Sequence, residues 1–175
     1  MTDFANECAA MQTMRHPNIV TCLGACTQPP HLAIVLEFCS GGTLWSLMQR
    51  RGEVIWSRRK QIAVETARAI NYLHQRSKPI LHRDLKSLNI LLDEGGRVKL
   101  ADFGWTRGLA NYMTAKIGTY QWMAPEVVSG HQYTQKADVY SFGIVLWEIA
   151  SREAPYRSKS VCMQTFLAPR WRSKC

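Results

Sequence analysis

The chain has no long hydrophobic run. Nowhere do its 175 residues approach the roughly 18 apolar residues a membrane helix needs, and no basic-then-apolar signal opens it. Neither a membrane span nor a secretory leader is expected. Its six cysteines, Cys8, Cys22, Cys26, Cys39, Cys162 and Cys175, include no Cys-x-x-Cys pair, which argues against a zinc or redox-dithiol motif. Cys22 and Cys26 read as strand and loop residues. Free thiols in a reducing, cytoplasmic setting are the expectation. Internal repeats and low-complexity blocks are also missing, which argues against solenoids and biased tracts. Acids are scarce, 13 against 22 basic side chains, for a net charge of +9. What is present is globular: 46% hydrophobic and 20% charged residues exclude wholesale disorder, and the length suits one domain.

A net charge of +9 invites a nucleic-acid or acidic-membrane reading. Position weakens it. Residues 152–175 hold Arg152, Arg157, Lys159, Arg170, Arg172 and Lys174 against Glu153 alone, so more than half of the excess lies in that tail. A second cluster, Arg50, Arg51, Arg58, Arg59 and Lys60, reads as a solvated face. No helix-turn-helix, zinc finger or aromatic-basic RNA motif accompanies them, so nucleic acid is not an expected partner.

The hydrophobic pattern predicts a helix over 4–15, with Phe4, Cys8 and Met11 on one stripe and His16-Pro17-Asn18 as its stop. Ile19 to Leu23 and Leu32 to Phe38 read as strands of an antiparallel hairpin turning at Gln28-Pro29-Pro30. Thr43 is an N-cap for a short helix, Leu44 to Gln49. From Ser57 to about Gln75, Ile62, Ala63, Ala67, Ile70 and Leu73 repeat at helical spacing. Ile90 to Leu92 and Val98 to Leu100 flank Asp93-Glu94-Gly95-Gly96 as a second hairpin. Residues 103–125 lack a period, and a loop that long suggests function. Ala137 to Ala150 carries apolar residues all round, which predicts burial on every side. The order describes an α+β chain that becomes mostly helical.

Three motifs carry chemistry. His82-Arg83-Asp84-Leu85-Lys86-Ser87-Leu88-Asn89 stands between the long helix and the second hairpin. Asp102-Phe103-Gly104 follows that hairpin, and Ala124-Pro125-Glu126 closes the long loop. Either triplet alone is close to noise. Together with the first motif, and in this order around a strand–turn–strand unit, they match the catalytic loop, metal-binding triplet and activation-segment end of a protein kinase. Over about residues 3–156 the chain resembles a protein kinase domain, with the two-lobe fold that implies.

Phosphoryl transfer has a loose transition state, so such an enzyme mainly positions groups and neutralises charge. The resemblance makes Asp84 the residue that orients the acceptor hydroxyl and takes its proton. An ordinary Asp has a pKa of about 3.9, a weak base at neutral pH, so orientation is its larger role. Lys86 supplies a positive charge for the γ-phosphate of ATP. Asn89 and Asp102 supply hard oxygen ligands of the kind Mg²⁺ selects. Arg83 is placed to pair with a phosphorylated residue of the long loop, and Thr114 is the leading candidate, with Tyr112 and Thr106 behind it. Glu37-Phe38-Cys39 resembles the hinge whose backbone meets adenine; Glu37 and Cys39 are its nucleotide-facing members, Leu36 the gatekeeper and Leu91 the floor under the ring. Asp138 resembles the Asp that fixes the catalytic-loop backbone.

Lys86 is similar to serine/threonine kinases. Gly118-Thr119 before Tyr120 agrees, Thr119 bridging the catalytic Asp and Lys near the substrate. Trp122 to Glu126 and Asp138 to Gly143 resemble the tyrosine-kinase-like group, whose Raf-like and mixed-lineage MAP kinase kinase kinase members combine such motifs with serine/threonine specificity, and Leu23 to Pro30 is similar to its Raf-like members. The expected partner is a protein substrate with a Ser or Thr acceptor.

The family pattern starts with a Gly-rich loop and a strand lysine. Here the first glycine is Gly24 and the first lysine Lys60, while the helix Glu that pairs with that lysine is Glu7. The chain is therefore expected to begin at the small-lobe helix. Residues 1–38 would be a truncated small lobe, 39–156 an incomplete, mostly helical large lobe, and 157–175 a basic divergent tail. The arginine that pairs with Glu126 is also absent, which predicts a buried, unpartnered carboxylate and an open flank. Two readings stay open: a serine/threonine kinase domain whose chain is inactive alone, and a non-catalytic module that binds partners through its large lobe.

Overall fold

In the computed structural model, which describes residues 8–9, 11–28, 30–102 and 120–156, Cys8, Ala9, Met11 and Gln12 are helical. Cys8, Met11 and Met14 are buried, as their stripe predicts. His16-Pro17-Asn18 turns the chain. The Asn18 amide N–H donates to His16 Nδ1 at 3.1 Å, and the Asn18 side chain donates to the Val98 carbonyl at 3.1 Å.

Strands β1 (Cys22–Cys26) and β2 (Ala33–Leu36) form the expected antiparallel hairpin. The first strand starts later than predicted. Ile19 instead makes a parallel bridge to Leu100. Around it Val20 N–H donates to the Leu100 carbonyl at 3.0 Å, and Leu100 N–H to the Asn18 carbonyl at 2.9 Å. Those groups serve the second sheet, so pairing with β2 begins only at Cys22.

That second sheet contains β3 (Gly42–Thr43), β4 (Ile90–Leu92) and β5 (Val98–Leu100) in spatial order, all antiparallel. Gly41 permits the approach of β3 to β4. Its N–H donates to the Leu92 carbonyl at 2.9 Å, and a Cβ there would lie 2.7 Å from the Asp93 carbonyl oxygen. Helix α1 (Leu44–Gln49) follows with a capping box: the Thr43 hydroxyl accepts from Ser46 N–H at 3.0 Å, and Ser46 Oγ accepts from Thr43 N–H at 3.1 Å.

Helix α2 (Trp56–His74) buries Ile62, Ala69, Ile70 and Leu73 against α4 (Gln135–Ser151) and β5. Ala63 and Ala67, expected on its buried stripe, are half-buried, while Glu65 and Thr66 go inside. Both polar groups are satisfied. Glu65 accepts from the Gln61 amide and from Val98 N–H, each at 2.8 Å, and Thr66 Oγ1 donates to the Ile62 carbonyl at 2.8 Å.

Short α3 (Pro125–Val128) leads to α4, where two expectations fail. The helix is not buried all round. Its inner face holds Ala137, Asp138, Ser141, Val145, Glu148 and Ile149, while Val139, Leu146 and Trp147 are 58%, 39% and 44% exposed. Apolar residues reached the inner face only in part, because two carboxylates occupy it. Glu126 is also no buried charge. It is half-exposed in the first turn of α3, where the helix dipole favours an acid. Among the described residues no helix is long and apolar enough to cross a membrane.

Candidate active site

The hairpin β4–β5 assembles the site. Asn89 ends a single 3₁₀ turn (Ser87–Asn89) directly before β4, and Ala101-Asp102 directly follows β5. Ala101 N–H donates to the Asn89 carbonyl at 2.9 Å, so pairing Ile90 with Leu100 sets Asp102 beside the catalytic loop.

Asp84, Lys86 and Asn89 converge as their motif predicts. Lys86 Nζ lies 3.0 Å from Asp84 Oδ2. Asn89 Nδ2 donates to the same oxygen at 3.0 Å and to the Asp84 carbonyl at 2.7 Å. All three side chains are buried. Both Asn89 amide hydrogens are therefore engaged, and no described group donates to its Oδ1. A buried oxygen acceptor left over next to Asp102 fits a hard cation such as Mg²⁺.

The loop backbone is held by Asp138. Its Oδ2 accepts from His82 N–H at 2.9 Å and its Oδ1 from Arg83 N–H at 3.0 Å. His74 Nε2 reaches Oδ2 and the Tyr133 hydroxyl donates to Oδ1, both at 2.8 Å. Burial pushes this carboxyl up, but the His74 hydrogen bond and the two backbone N–H groups outweigh it and leave it below the ordinary value. These bonds keep Arg83 at φ 66°, a left-handed conformation unfavourable for a non-glycine residue. Asp102, at φ 58°, shares that conformation and is exposed.

His82 is fully buried, and burial lowers its pKa despite Asp138 and Asp102 nearby. It is therefore neutral, and its contacts name the tautomer. Nε2 faces the Ala101 carbonyl at 3.1 Å and must carry the proton, while Nδ1 accepts from Asp84 N–H at 3.3 Å. One ring thus ties Asp84 to the residue before Asp102.

The hinge residues lie over the other face of the hairpin. Lys99 pairs with Leu91 on the sheet, so their side chains share a face. Lys99 Nζ contacts Glu37 Oε1 at 2.8 Å and Oε2 at 2.9 Å. Glu37 Oε1 also accepts from Thr21 N–H at 2.7 Å and Thr21 Oγ1 at 2.9 Å. Half-buried Leu91 thus points toward the hinge. The Glu37 side chain is anchored structurally and its N–H donates to the Thr21 carbonyl at 2.9 Å, which leaves its carbonyl for a ligand. Its carbonyl meets only the Cys39 thiol at 4.0 Å, and Cys39 N–H has no acceptor among the described residues. Leu36 is 38% exposed. Glu7, Thr106, Tyr112, Thr114, Gly118 and Thr119 lie outside the described residues.

Motif reading missed Glu148. It is 1% exposed and accepts from Ser87 Oγ at 2.6 Å and Trp122 Nε1 at 2.7 Å. Burial pushes its pKa up, the Ser87 and Trp122 hydrogen bonds offsetting only part of that. A signal existed: Asp138 and Glu148 are the two acids in the otherwise apolar stretch 137–150.

Comparison with known proteins agrees with the geometry. The family described as the protein kinase domain matches residues 1–170. The chain is 46% identical over 157 residues to serine/threonine-protein kinase STY46 of Arabidopsis thaliana, covering 88% of this chain and 27% of that protein. It is 45% identical over 162 residues to serine/threonine-protein kinase CTR1 of the same plant, covering 89% and 20%. It is 42% identical over 163 residues to probable serine/threonine-protein kinase drkC of Dictyostelium discoideum, covering 90% and 22%. The chain thus spans between a fifth and about a quarter of the length of these relatives.

Proposed function

The chain belongs to the protein kinase domain family, and from that premise we propose that it serves transfer of the γ-phosphoryl group of ATP to Ser or Thr hydroxyls of a protein. The observation that carries the reading is the Asp84 carboxylate held between Lys86 and Asn89. Asp84 orients the acceptor hydroxyl and receives its proton. Lys86, 3.0 Å from Asp84, offers its charge to the transferring phosphoryl group. Asn89 Oδ1 and the Asp102 carboxylate would hold Mg²⁺, which neutralises phosphate charge when bound. The Glu37 carbonyl and Cys39 N–H would meet the adenine edge, with Leu91 beneath the ring. Arg83 and Thr114 form the regulatory pair, Gly118-Thr119 the substrate side, and Glu7 the partner of a strand lysine.

In this reading 1–38 is small lobe, 39–156 large lobe and 157–175 a basic tail. The free thiols at Cys8, Cys22, Cys26 and Cys39 support a reducing, ATP-containing compartment such as the cytoplasm. A second reading, a binding module without catalysis, draws support from Phe38, 90% exposed beside a two-stranded hairpin that is marginal alone.

The test is radiolabelled γ-phosphate transfer to a generic Ser/Thr protein substrate with Mg·ATP. Asp84→Asn should lower kcat by about 10² or more while Mg·ATP still raises the melting temperature. No transfer and no Mg·ATP stabilisation in the unaltered chain would favour the binding module.

A further inference from the structure

A pocket of about 490 Å³ is lined by Arg68, Asn71 and Tyr72 of α2, by Gln75 and Arg76 just beyond it, and by His16 of the first turn. No acid lines it. Neither arginine joins an ion pair among the described residues. Arg76 is held by neutral oxygens: Nη1 donates to the Tyr72 hydroxyl at 2.9 Å and Nη2 to Thr13 Oγ1 at 3.0 Å. Those two bonds use a minority of the donors on its fork. Arg68 is exposed and makes no hydrogen bond to a described residue. The His16 and Tyr72 rings lie with centroids 4.9 Å apart. His16 Nδ1 accepts from Asn18 N–H, so the neutral ring carries its proton on Nε2, one more donor on a lining residue. Burial, then the charge of Arg68, holds the His16 pKa below its ordinary value.

We propose that this pocket binds a phosphate monoester dianion carried on an aromatic group. Two guanidinium forks and an imidazole N–H match the charge and the three acceptor oxygens of such a phosphate. The side-chain amides of Asn71 and Gln75 offer further donors. The pocket is larger than a bare phosphate needs and falls in the range of small-molecule sites. Its ring walls, Tyr72 and His16, suit a flat ring on the ligand. The charged and titratable groups facing His16 are Arg68, Tyr72 and Arg76, with Arg15 N–H donating to the Tyr72 hydroxyl at 3.1 Å. None is an acid, so a bound dianion supplies the negative charge that the cluster lacks and raises the His16 pKa. A phosphotyrosyl side chain and a free nucleoside monophosphate are two sources of this chemistry. The inference does not rest on the kinase reading, because no lining residue has a part in the proposed transfer.

The experiment is an NMR titration of the full chain with phenyl phosphate, phenyl sulfate and inorganic phosphate, following the His16 ring, assigned by its loss in His16→Gln. Phenyl phosphate should shift the His16 signals to saturation and bind about fivefold tighter than either other probe, one lacking a charge and the other the ring. At saturation the His16 titration midpoint should rise by about one pH unit. Arg68→Gln should weaken binding about fivefold or more, and Arg68→Lys should recover part of it. Arg68 is exposed and holds no described group, so both variants should keep the melting temperature. The probe ranking in the unaltered chain decides the matter even where a variant fails to fold. A phosphotyrosyl peptide and adenosine monophosphate then separate the two sources, and saturation at His16 by either supports the pocket. Shifts centred on Cys39 and Asn89 or on Arg50 and Arg51 in place of His16 overturn the proposal. So does equal binding of all three probes, unchanged binding in Arg68→Gln, or a failure to saturate by about 50 mM, each of which leaves an adventitious ion only.

Discussion

Asp138 shows how one buried side chain governs a catalytic loop it never joins. Four donors converge on its two oxygens, from His74, His82, Arg83 and Tyr133. Its pKa lies below the ordinary Asp value of 3.8. A lowered carboxyl stabilises the fold fully above the unfolded value, and that contribution disappears as pH falls through the folded one. His82 points the same way. Kept neutral by burial, it favours the fold above its ordinary value of 6.5 and resists protonation as the medium acidifies. Asp138→Asn should thus cost about 2 kcal/mol at neutral pH, and progressively less as the pH falls below the ordinary Asp value and through the lowered folded one, in urea melts across pH. A loss that does not change with pH would show that the charge is not what holds the loop. Asp84 and Asn89 were legible because they sit within one eight-residue motif. The Asn89 Oδ1 left for a cation emerges only when Asp84 has taken both amide hydrogens, and the His82 tautomer only when Ala101, just beyond β5, is in place.

At the scale of elements, local chemistry explains most of what could be read. The Asp93-Glu94-Gly95-Gly96 turn closes as expected: Gly96 N–H donates to the Asp93 carbonyl at 2.9 Å, and Gly96 has φ 78°. Thr43 caps α1. What sequence could not reveal was competition between elements. Ile19 has every property of a strand residue in the first hairpin, yet bonds to Leu100 across a distant part of the chain claim its neighbours. Glycine at position 41 is another long-range requirement, imposed by β4. Gly41→Ala should destabilise the chain by about 1–3 kcal/mol through the clash with Leu92 and Asp93. Substitution at Gly24, whose added Cβ would meet nothing within 4 Å, should not clash. Chemical denaturation of the two alanine variants gives the comparison, and equal midpoints would remove close approach as the reason for Gly41.

For the whole molecule, the proposed catalytic groups depend on a helix that contributes none of them. The two acids on the inner face of α4 are ten positions apart and reach opposite ends of one loop, Asp138 at His82 and Arg83, Glu148 at Ser87. A stretch so rich in apolar residues reads as core, and its two carboxylates read as exceptions; folded, the exceptions are the reason the stretch runs as it does. Their spacing has a consequence for chain length. Each residue of an α-helix advances the axis by about 1.5 Å and turns it by about 100°. One alanine inserted between Gly143 and Ile144 would leave helix propensity almost untouched, but would swing one anchor away from the loop relative to the other. One inserted in the turn at 94–96 would be absorbed at the surface. The first insertion should lower the melting temperature far more than the second. Within α4, then, this protein tolerates exchange of outward-facing letters but not a change in their number.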